Sequence, residues 1–279
     1  MDAGQPSRSA MSAAVARGIH RIHDAPPWIL DDPFALPLVG DGWQAFAEQS
    51  VALSRPPYQA RSGVLLRARY PEDVLASGVY AQYVILGAGL DSFAWRHPDF
   101  VRKGRLFEVD HPATQTWKRE RMRALALPAS DRQVLVPADL TGDTLDASLT
   151  RAGFDWSLPS LLSWVGTTMY LGPDAIGATL RIVARCAAGS GIVLSYNPRP
   201  ELLDDLHREV LDDVSRLVAG MGEPLRSAFA PDEIERLAAT AGLQVAEAPS
   251  HADLERRYFN GRPDGMRLLM IERLLWLRV

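Results

Sequence analysis

The stretch "YVILGAGLDSFAWR", residues 83–96, decides the fold. Its apolar run ends in Gly87-Ala88-Gly89 and leads into a segment long enough to begin a helix. Glycine has no Cβ, so the backbone N–H groups of such a turn can come close to a ligand. Ligands of open α/β sheets bind at the carboxyl edge of the strands. We therefore predict that the turn at Gly87, Ala88 and Gly89 binds a ligand.

Five short apolar runs are separated by helix-length segments. Their continuous apolar character predicts strands that are covered on both faces. Strands that alternate with helices predict right-handed crossovers and a mostly parallel sheet. A final run, "RLLMIERLLWLRV", predicts a closing strand. The five runs are "QYVIL" (82–86), "GRLFEV" (104–109), "QVLVPA" (133–138), "SLLSWV" (160–165) and "GIVLSY" (191–196).

The chain divides into two parts by its pattern. Residues 1–75 have helical periodicity interrupted by the prolines of "APPW" and "DDPFALP", which predicts a helical N-terminal cap. Residues 76–279 carry the strand and helix alternation and form the predicted α/β core. Within the core, an acidic amphipathic helix predicts an insertion around 197–230 that covers the substrate.

Composition narrows the class of protein. The net charge of −4 and the pI of about 5.9 provide no basic field, so we expect no nucleic-acid partner. The single cysteine, Cys186, suits a reducing cytoplasm and argues against a cysteine-based metal site. The sequence shows no secretory signal and no apolar run long enough to span a membrane, so we expect no membrane partner. The sequence leaves the oligomeric state open, and a homo-oligomer is one possibility.

The glycine turn favours a ligand without phosphate groups. A dinucleotide fingerprint has a third glycine, whereas this turn reads G-A-G-L-D-S and places Asp91 at the helix end. A pyrophosphate would meet the Asp91 carboxylate there, which is an unfavourable contact of like charges. S-adenosylmethionine has an adenosine and a zwitterionic amino acid around a sulfonium but no phosphate. We therefore predict S-adenosylmethionine as the cofactor and no metal.

Acidic residues end the next two predicted strands. Asp110 lies 21 residues after Gly89, where a carboxylate can accept both ribose hydroxyl protons, and Glu108 is the alternative two residues earlier. Asp139 and Leu140 end the third strand, where they could bind the adenine amino group and pack on its ring. The order of glycine turn, acid and acid at three successive strand ends supports a cofactor site.

Several motifs together resemble a known family. "QYVILGAGLDSFAWR", "LFEVDHPATQTWKR", "ADL" and "SWVGTTMYL", in this order and spacing, are similar to the leucine carboxyl methyltransferase family in its wide sense, and to its bacterial branch above all. The similarity extends to "DDPFALPLVG" and "RYFNGRPDG" and covers nearly the whole chain. It implies a class I methyltransferase fold, Rossmann-like, with a seven-stranded sheet whose last strand is antiparallel and with a helical cap before it.

The resemblance also implies site residues. The arginine of "YQARSGV", Arg61, corresponds to one that binds the methionine carboxylate of the cofactor, and Arg67 and Arg69 are nearby alternatives. A guanidinium suits this carboxylate because it can donate two parallel hydrogen bonds. The full set of predicted cofactor contacts is Arg61, Gly87, Ala88, Gly89, Asp110, His111, Asp139, Leu140 and Trp164.

The substrate pocket should open after the fourth and fifth strands, where we predict Tyr170, Tyr196 and Asn197 as substrate contacts. Protein-methylating relatives have a glutamate where this chain has Val165, which argues against a protein carboxyl terminus as substrate. A carboxylate nucleophile needs no base, whereas a hydroxyl would benefit from one. Histidines and tyrosines near the strand ends are candidates for that base, and no catalytic residue is assigned.

These observations predict an S-adenosylmethionine-dependent O-methyltransferase that acts on a carboxylate or hydroxyl of a small molecule, such as a polyketide or other secondary metabolite. Two alternatives stay open. The first is a protein of this fold that binds S-adenosylmethionine and catalyses a reaction other than methylation. The second is an NAD-dependent oxidoreductase, which the missing third glycine disfavours.

Overall fold

The computed structural model describes residues 7–140 and 145–279. The predicted cap and core also include residues 1–6 and 141–144, which lie outside the described residues. The α-helices are α1 (Arg8–His23), α2 (Ala35–Val39), α3 (Trp43–Ala52), α4 (Arg61–Ser77), α5 (Phe93–Arg96), α6 (Pro98–Lys103), α7 (Pro112–Ala124), α8 (Leu145–Arg151), α9 (Pro173–Val183), α10 (Asp205–Gly220), α11 (Pro231–Thr240) and α12 (His251–Tyr258). Two 3₁₀ helices are η1 (Thr168–Tyr170) and η2 (Pro200–Leu202).

The strands are β1 (Tyr58–Gln59), β2 (Gln82–Leu86), β3 (Arg105–Asp110), β4 (Gln133–Pro137), β5 (Ser160–Trp164), β6 (Gly191–Tyr196), β7 (Gln244–Glu247), β8 (Arg267–Leu268) and β9 (Arg273–Arg278). Seven of the described strands form one sheet in the order β4-β3-β2-β5-β6-β9-β7. The pairs from β4 to β6 are parallel, whereas β9 is antiparallel to both β6 and β7. The predicted fold is therefore confirmed, including the antiparallel last strand.

Both faces of the sheet are buried, as the continuous apolar runs predict. Along β2 the side chains alternate between faces. Val84 and Leu86 belong to a core with α8, α9 and α11, while Tyr83 and Ile85 belong to a second core with α4, α6 and α12. Neither face of β2 is therefore left to bulk water, and Tyr83 and Ile85 line a cavity at the carboxyl ends of the parallel strands.

The prediction of a single closing strand over residues 267–279 is wrong in the extent of that strand. Residues 267–279 form two separate strands: β8 pairs in parallel with β1, and β9 enters the main sheet. The polar residue within the run, Glu272, is the reason for the division. Its buried carboxylate pairs with Arg67 of α4, so the backbone between β8 and β9 passes beside the cap and not along the sheet.

Helix α1 contacts the other three helices of the N-terminal region, α2, α3 and α4. Residues of α1 and α4 face the carboxyl ends of the parallel strands. The break between α1 and α2 contains the "APPW" prolines, whereas Pro37 is in the first turn of α2, where its missing N–H costs no helix bond. Helix α10 packs beside this cap, with Val210, Leu211 and Val218 buried. Its Asp205 and Asp212 are exposed, as expected for a solvated acidic face.

Candidate active site

The glycine turn is tied to the neighbouring strand by hydrogen bonds. Gly87 and Ala88 donate their N–H groups to the carbonyl oxygen of Val109, at 2.9 and 3.0 Å. Gly87 has φ of 70°, and a Cβ at this position would lie 2.2 Å from the Oγ1 of Thr167. The turn therefore needs glycine both for its left-handed backbone and for the close approach of the segment after β5.

Asp110 lies at the carboxyl end of β3, where its carboxylate contacts the glycine turn. Its carboxylate accepts N–H hydrogen bonds from Gly89 at 2.6 Å and from His111 at 2.7 Å. Burial raises the pKa of Asp110, and the two backbone donors act in the opposite direction. A side-chain hydrogen bond from Thr114 also acts against burial and favours the charged carboxylate.

Glu108, the alternative ribose ligand predicted from the sequence, is already paired within the protein. It is fully buried and forms an ion pair with Lys118, and it also accepts a hydrogen bond of 2.8 Å from Gln133. Lys118 in turn donates to the carbonyl oxygen of Asp91, at 2.6 Å. This pair stabilises the base of the glycine turn and does not line the cavity beside it.

A cavity of about 450 Å³ opens at the carboxyl ends of the parallel strands, and we call it the cofactor cavity. The strand ends and the turns after them form its floor, while the start of α1 and the loop after α10 form its sides. Eight predicted site residues line it: Gly87, Ala88, Gly89, Asp110, His111, Asp139, Leu140 and Tyr170. Asp91 lines it as well, so a phosphate placed here would meet a carboxylate.

A second, smaller cavity of about 160 Å³ lies beside the first, and we call it the inner cavity. Side chains from α1, α3, α4 and α10 form its walls, together with the segment between β8 and β9. Its lining is mostly apolar and includes the predicted substrate contact Asn197. Both cavities share the lining residues Ser9, Ala13, Val64, Arg67 and Tyr170.

Arg67 lies at this junction, held by a network that joins four segments. It forms an ion pair with Glu272, whose other oxygen accepts from the hydroxyl of Ser195. The same Ser195 oxygen accepts the N–H of Gly166 at 2.7 Å. Gly166 has φ of 68°, and a Cβ there would lie 2.6 Å from the Cζ of Arg67. Glycine at this position therefore leaves the space that the guanidinium occupies.

Arg61, the predicted carboxylate ligand, lies outside both cavities. Its guanidinium donates to both oxygens of Asp24, at 2.6 and 2.5 Å. Burial raises the pKa of Asp24, but the hydrogen bonds from Arg61 and His20 outweigh it and lower that pKa to about 2. Arg61 and Arg67 are on the same helix, six residues apart, so they face different sides of α4. The structure thus brings Arg67, not Arg61, to the site.

Trp164 and Tyr196 also lie outside both cavities. Side chains alternate across a strand, so Ser163 and Val165 line the cofactor cavity while Trp164 points to the opposite face and is fully buried in the core. Tyr196 is in the same core, against Phe229. These two aromatic side chains are packing residues in this structure, and neither cavity includes them.

The residues that line the cofactor cavity but were not predicted from the sequence include Arg17, Thr167 and Glu223. Arg17 donates to the carbonyl oxygen of Leu90 at 2.7 Å. Arg17 belongs to α1 and Glu223 to the loop after α10, and no spacing in the sequence marks either residue. Thr167 lies within the motif "SWVGTTMYL", which extends from β5. Packing of the cap and of the loop after α10 brings Arg17 and Glu223 to the cofactor cavity, whereas β5 positions Thr167.

Among residues 7–140 and 145–279, no group of three or more histidine, cysteine or acidic side chains is arranged to hold a metal ion. In the same part of the chain, no helix is long and apolar enough to cross a membrane.

The sheet order, the antiparallel β9 and the cavity at the glycine turn define a class I S-adenosylmethionine-dependent methyltransferase. The chain belongs to the leucine carboxyl methyltransferase family, whose sequence pattern matches residues 10–184. The resemblance predicted from the motifs is thereby confirmed.

Named relatives agree with this assignment. A Bacillus subtilis protein named "Putative S-adenosyl-L-methionine-dependent methyltransferase YktD" is 28% identical, over 95% of each chain. A Mycobacterium marinum protein with the same description is 33% identical over 69% of this chain and 66% of its own. Among solved structures, a DUF574 family protein from Streptomyces avermitilis has a TM-score of 0.64 at 17% identity, covering 99% of this chain and 98% of its own, and so shares the fold.

Proposed function

We propose that this methyltransferase transfers the methyl group of S-adenosylmethionine to an oxygen atom of a small molecule, a carboxylate or a hydroxyl, and that the acceptor is a polyketide or other secondary metabolite. The observation that carries the proposal is the pair of adjacent cavities, one at the glycine turn with a lining of polar and apolar groups, the other mostly apolar and beneath the cap. They meet at Arg67 and Tyr170, where the two substrates would come together.

The lining of the cofactor cavity fits S-adenosylmethionine. Asp110 would accept the ribose hydroxyls, and Asp139 with Leu140 would bind the adenine. Arg67 would bind the methionine carboxylate, because a guanidinium has five N–H donors and can serve Glu272 and a ligand together. The Asp91 carboxylate would attract the positive amino group of S-adenosylmethionine and would repel a phosphate group.

The chemistry needs alignment more than it needs acid and base groups. The bound cofactor supplies a methyl group on a positively charged sulfur, and the protein would place the acceptor oxygen in line with it. Burial raises the pKa of Tyr170 to about 12, so its hydroxyl stays protonated and can orient an acceptor by donating a hydrogen bond. His111 caps α7 by accepting the N–H of Ala113, and His97 pairs with Glu72, so neither is assigned as a base.

We further propose that the protein acts in the cytoplasm, because the buried thiol of Cys186 suits a reducing compartment. A homo-oligomeric state and the absence of a nucleic-acid partner stay predictions. A protein of this fold that binds the cofactor without transferring its methyl group is the second candidate. An oxidoreductase that uses NAD is disfavoured because Asp91 lines the cavity in which a pyrophosphate would lie.

Parallel calorimetric titrations with S-adenosylmethionine, S-adenosylhomocysteine and NAD test the cofactor. We expect micromolar affinity for the first two and no heat from NAD. An acceptor screen that detects S-adenosylhomocysteine then tests methyl transfer. Binding of NAD alone would contradict the proposal. Tight binding of S-adenosylmethionine with no product from any hydroxyl or carboxylate acceptor would favour the second candidate.

A further inference from the structure

The inner cavity contains polar atoms that lack partners. The Oδ1 of Asn197, the Oε1 of Gln49 and the Oγ of Ser12 are buried, and none has a hydrogen-bond partner within the described residues. All three residues belong to the lining of the inner cavity. Asn197 is only 3% exposed, and its backbone carbonyl oxygen is fixed by the N–H of Phe229 at 3.0 Å. Since buried polar groups are almost always hydrogen-bonded, these three indicate a ligand that completes them.

The three unpaired atoms indicate the polarity of that ligand. The atoms of Asn197 and Gln49 are amide carbonyl oxygens, which accept hydrogen bonds and cannot donate them. The Ser12 hydroxyl can do either. A bound molecule that carries one donor, such as a hydroxyl group, would satisfy one of the two carbonyl oxygens.

The charges of the lining exclude a negatively charged ligand. Among the described residues that line the inner cavity, Arg67 and Glu272 are the two that carry charge, and they form an ion pair with each other. A carboxylate buried here would have no cation of its own and would face the carboxylate of Glu272. Burying an unpaired charge is strongly unfavourable, so the cavity selects an uncharged molecule.

The size of the cavity limits the part of the ligand that it can hold. An apolar cavity of about 150 Å³ holds one benzene ring in a well-studied protein of another fold. The inner cavity, at about 160 Å³, is of the same size, and it is walled by Leu217, Val214, Met270 and other apolar side chains. It would take one substituted ring or a short branched chain.

Resting on the proposed function, we propose that the inner cavity binds the methyl acceptor and selects an uncharged, largely apolar molecule of about one ring that carries a hydroxyl group, in preference to a carboxylate. Arg67 cannot compensate an anionic acceptor, because Glu272 and the cofactor carboxylate share its guanidinium. Of a carboxylate and a hydroxyl, the structure thus assigns the hydroxyl as the acceptor group. Its oxygen would form a bond to the methyl carbon while the bond from that carbon to the sulfonium sulfur breaks, the hydroxyl proton would pass to water, and S-adenosylhomocysteine would be left as the other product.

A matched pair of probes tests this assignment. The full-length protein, saturated with S-adenosylhomocysteine, is titrated calorimetrically with 4-methylphenol and with 4-methylbenzoate at pH 7. We expect the phenol to bind at least tenfold more tightly than the benzoate. Equal affinities, tighter binding of the benzoate, or no binding of either probe at millimolar concentration would overturn the assignment.

Two variants show where the phenol binds. Val214→Phe fills the inner cavity, and Asn197→Leu removes one of its carbonyl oxygens; neither residue lines the cofactor cavity. We expect both to weaken phenol binding at least fivefold while the affinity for S-adenosylhomocysteine stays within twofold, which also shows that the variants are folded. Unchanged phenol binding in both variants would overturn the site. Failure of the wild-type protein to bind S-adenosylhomocysteine would instead remove the proposed function itself.

The charge of Glu272 is tested separately. Glu272→Gln keeps the shape of the side chain and removes its negative charge. We expect this variant to bind 4-methylbenzoate more tightly than the wild type, so that its preference for the phenol falls at least threefold. A preference that does not change would show that Glu272 does not select the charge of the ligand.

Discussion

The hydroxyl of Ser7 donates a hydrogen bond of 2.8 Å to the carboxylate of Glu223, 216 residues further along the chain. Glu223 also accepts the N–H of Ser9, at 3.3 Å. Ser7 is the N-cap of α1, and Glu223 follows α10, so the contact joins the cap to the loop after α10. Both residues line the cofactor cavity, and a carboxylate is favourable at a helix N-terminus. The contact therefore closes one side of that cavity.

Glu223→Ala should open this side of the cofactor cavity. Because the start of α1 loses two hydrogen bonds, about 1–3 kcal/mol in total, we expect S-adenosylhomocysteine to dissociate roughly 5- to 50-fold faster. Stopped-flow displacement measures the rate. Glu201→Ala removes a carboxylate from the exposed start of η2 and should leave the rate unchanged. A Glu223→Ala rate equal to wild type would mean that the contact does not restrain the ligand.

Arg67→Ala and Arg61→Ala should separate binding from stability on one helix. Loss of Arg67 removes a charged donor from the cofactor cavity, so we expect the affinity for S-adenosylmethionine to fall about 10- to 100-fold. Loss of Arg61 leaves the buried Asp24 with His20 as its remaining partner and should lower the free energy of unfolding by about 3 kcal/mol. The affinity of folded Arg61→Ala protein should stay near wild type. Calorimetry and denaturant unfolding measure the two effects, and the reverse pattern would restore Arg61 as the carboxylate ligand.

Asp110 should make cofactor binding dependent on pH. A protonated carboxyl group loses part of its capacity to accept from the ribose, so affinity should fall as the pH is lowered through the pKa of Asp110. Burial raises that pKa, so the fall should begin at a higher pH than for an exposed aspartate. Asp110→Asn should bind about 5- to 100-fold more weakly at pH 7 and lack this pH dependence. A wild-type affinity that is constant down to pH 4 would contradict the role of Asp110.

Gly87→Ala should damage both the turn and the site. A residue with a side chain is strained at φ of 70° by about 1–2 kcal/mol, and its Cβ would also meet Thr167. We expect a lower free energy of unfolding and loss of cofactor binding. Gly220→Ala is the matched control, because Gly220 ends α10 with open space around it; there alanine should stabilise by about 0.5–1 kcal/mol. Thermal unfolding and calorimetry measure both variants, and cofactor binding by Gly87→Ala at wild-type affinity would contradict the prediction.

Much of the fold could be predicted because its signals are local. The runs at 82–86 and 191–196 form strands with the predicted bounds, since continuous apolar sequence between turn residues has few other stable structures. Asp110 and Asp139 could be placed at the cavity for the same reason: the ends of parallel strands meet at one edge of the sheet. The predicted extent of the final strand is wrong, because no local pattern in residues 267–279 shows that Glu272 pairs with Arg67 of α4.

The sequence by itself determined the class of fold, the glycine turn and the family, because apolar periodicity, glycine conformation and motif order are properties of short segments. Only the tertiary structure decided which arginine reaches the site, which face of β5 lines the cavity, and that α1, α3, α4 and α10 enclose the inner cavity. Those outcomes depend on the rotation of each helix and on contacts between residues as far apart as Arg67 and Glu272. No pattern within a single segment contains that information, because packing between segments sets it.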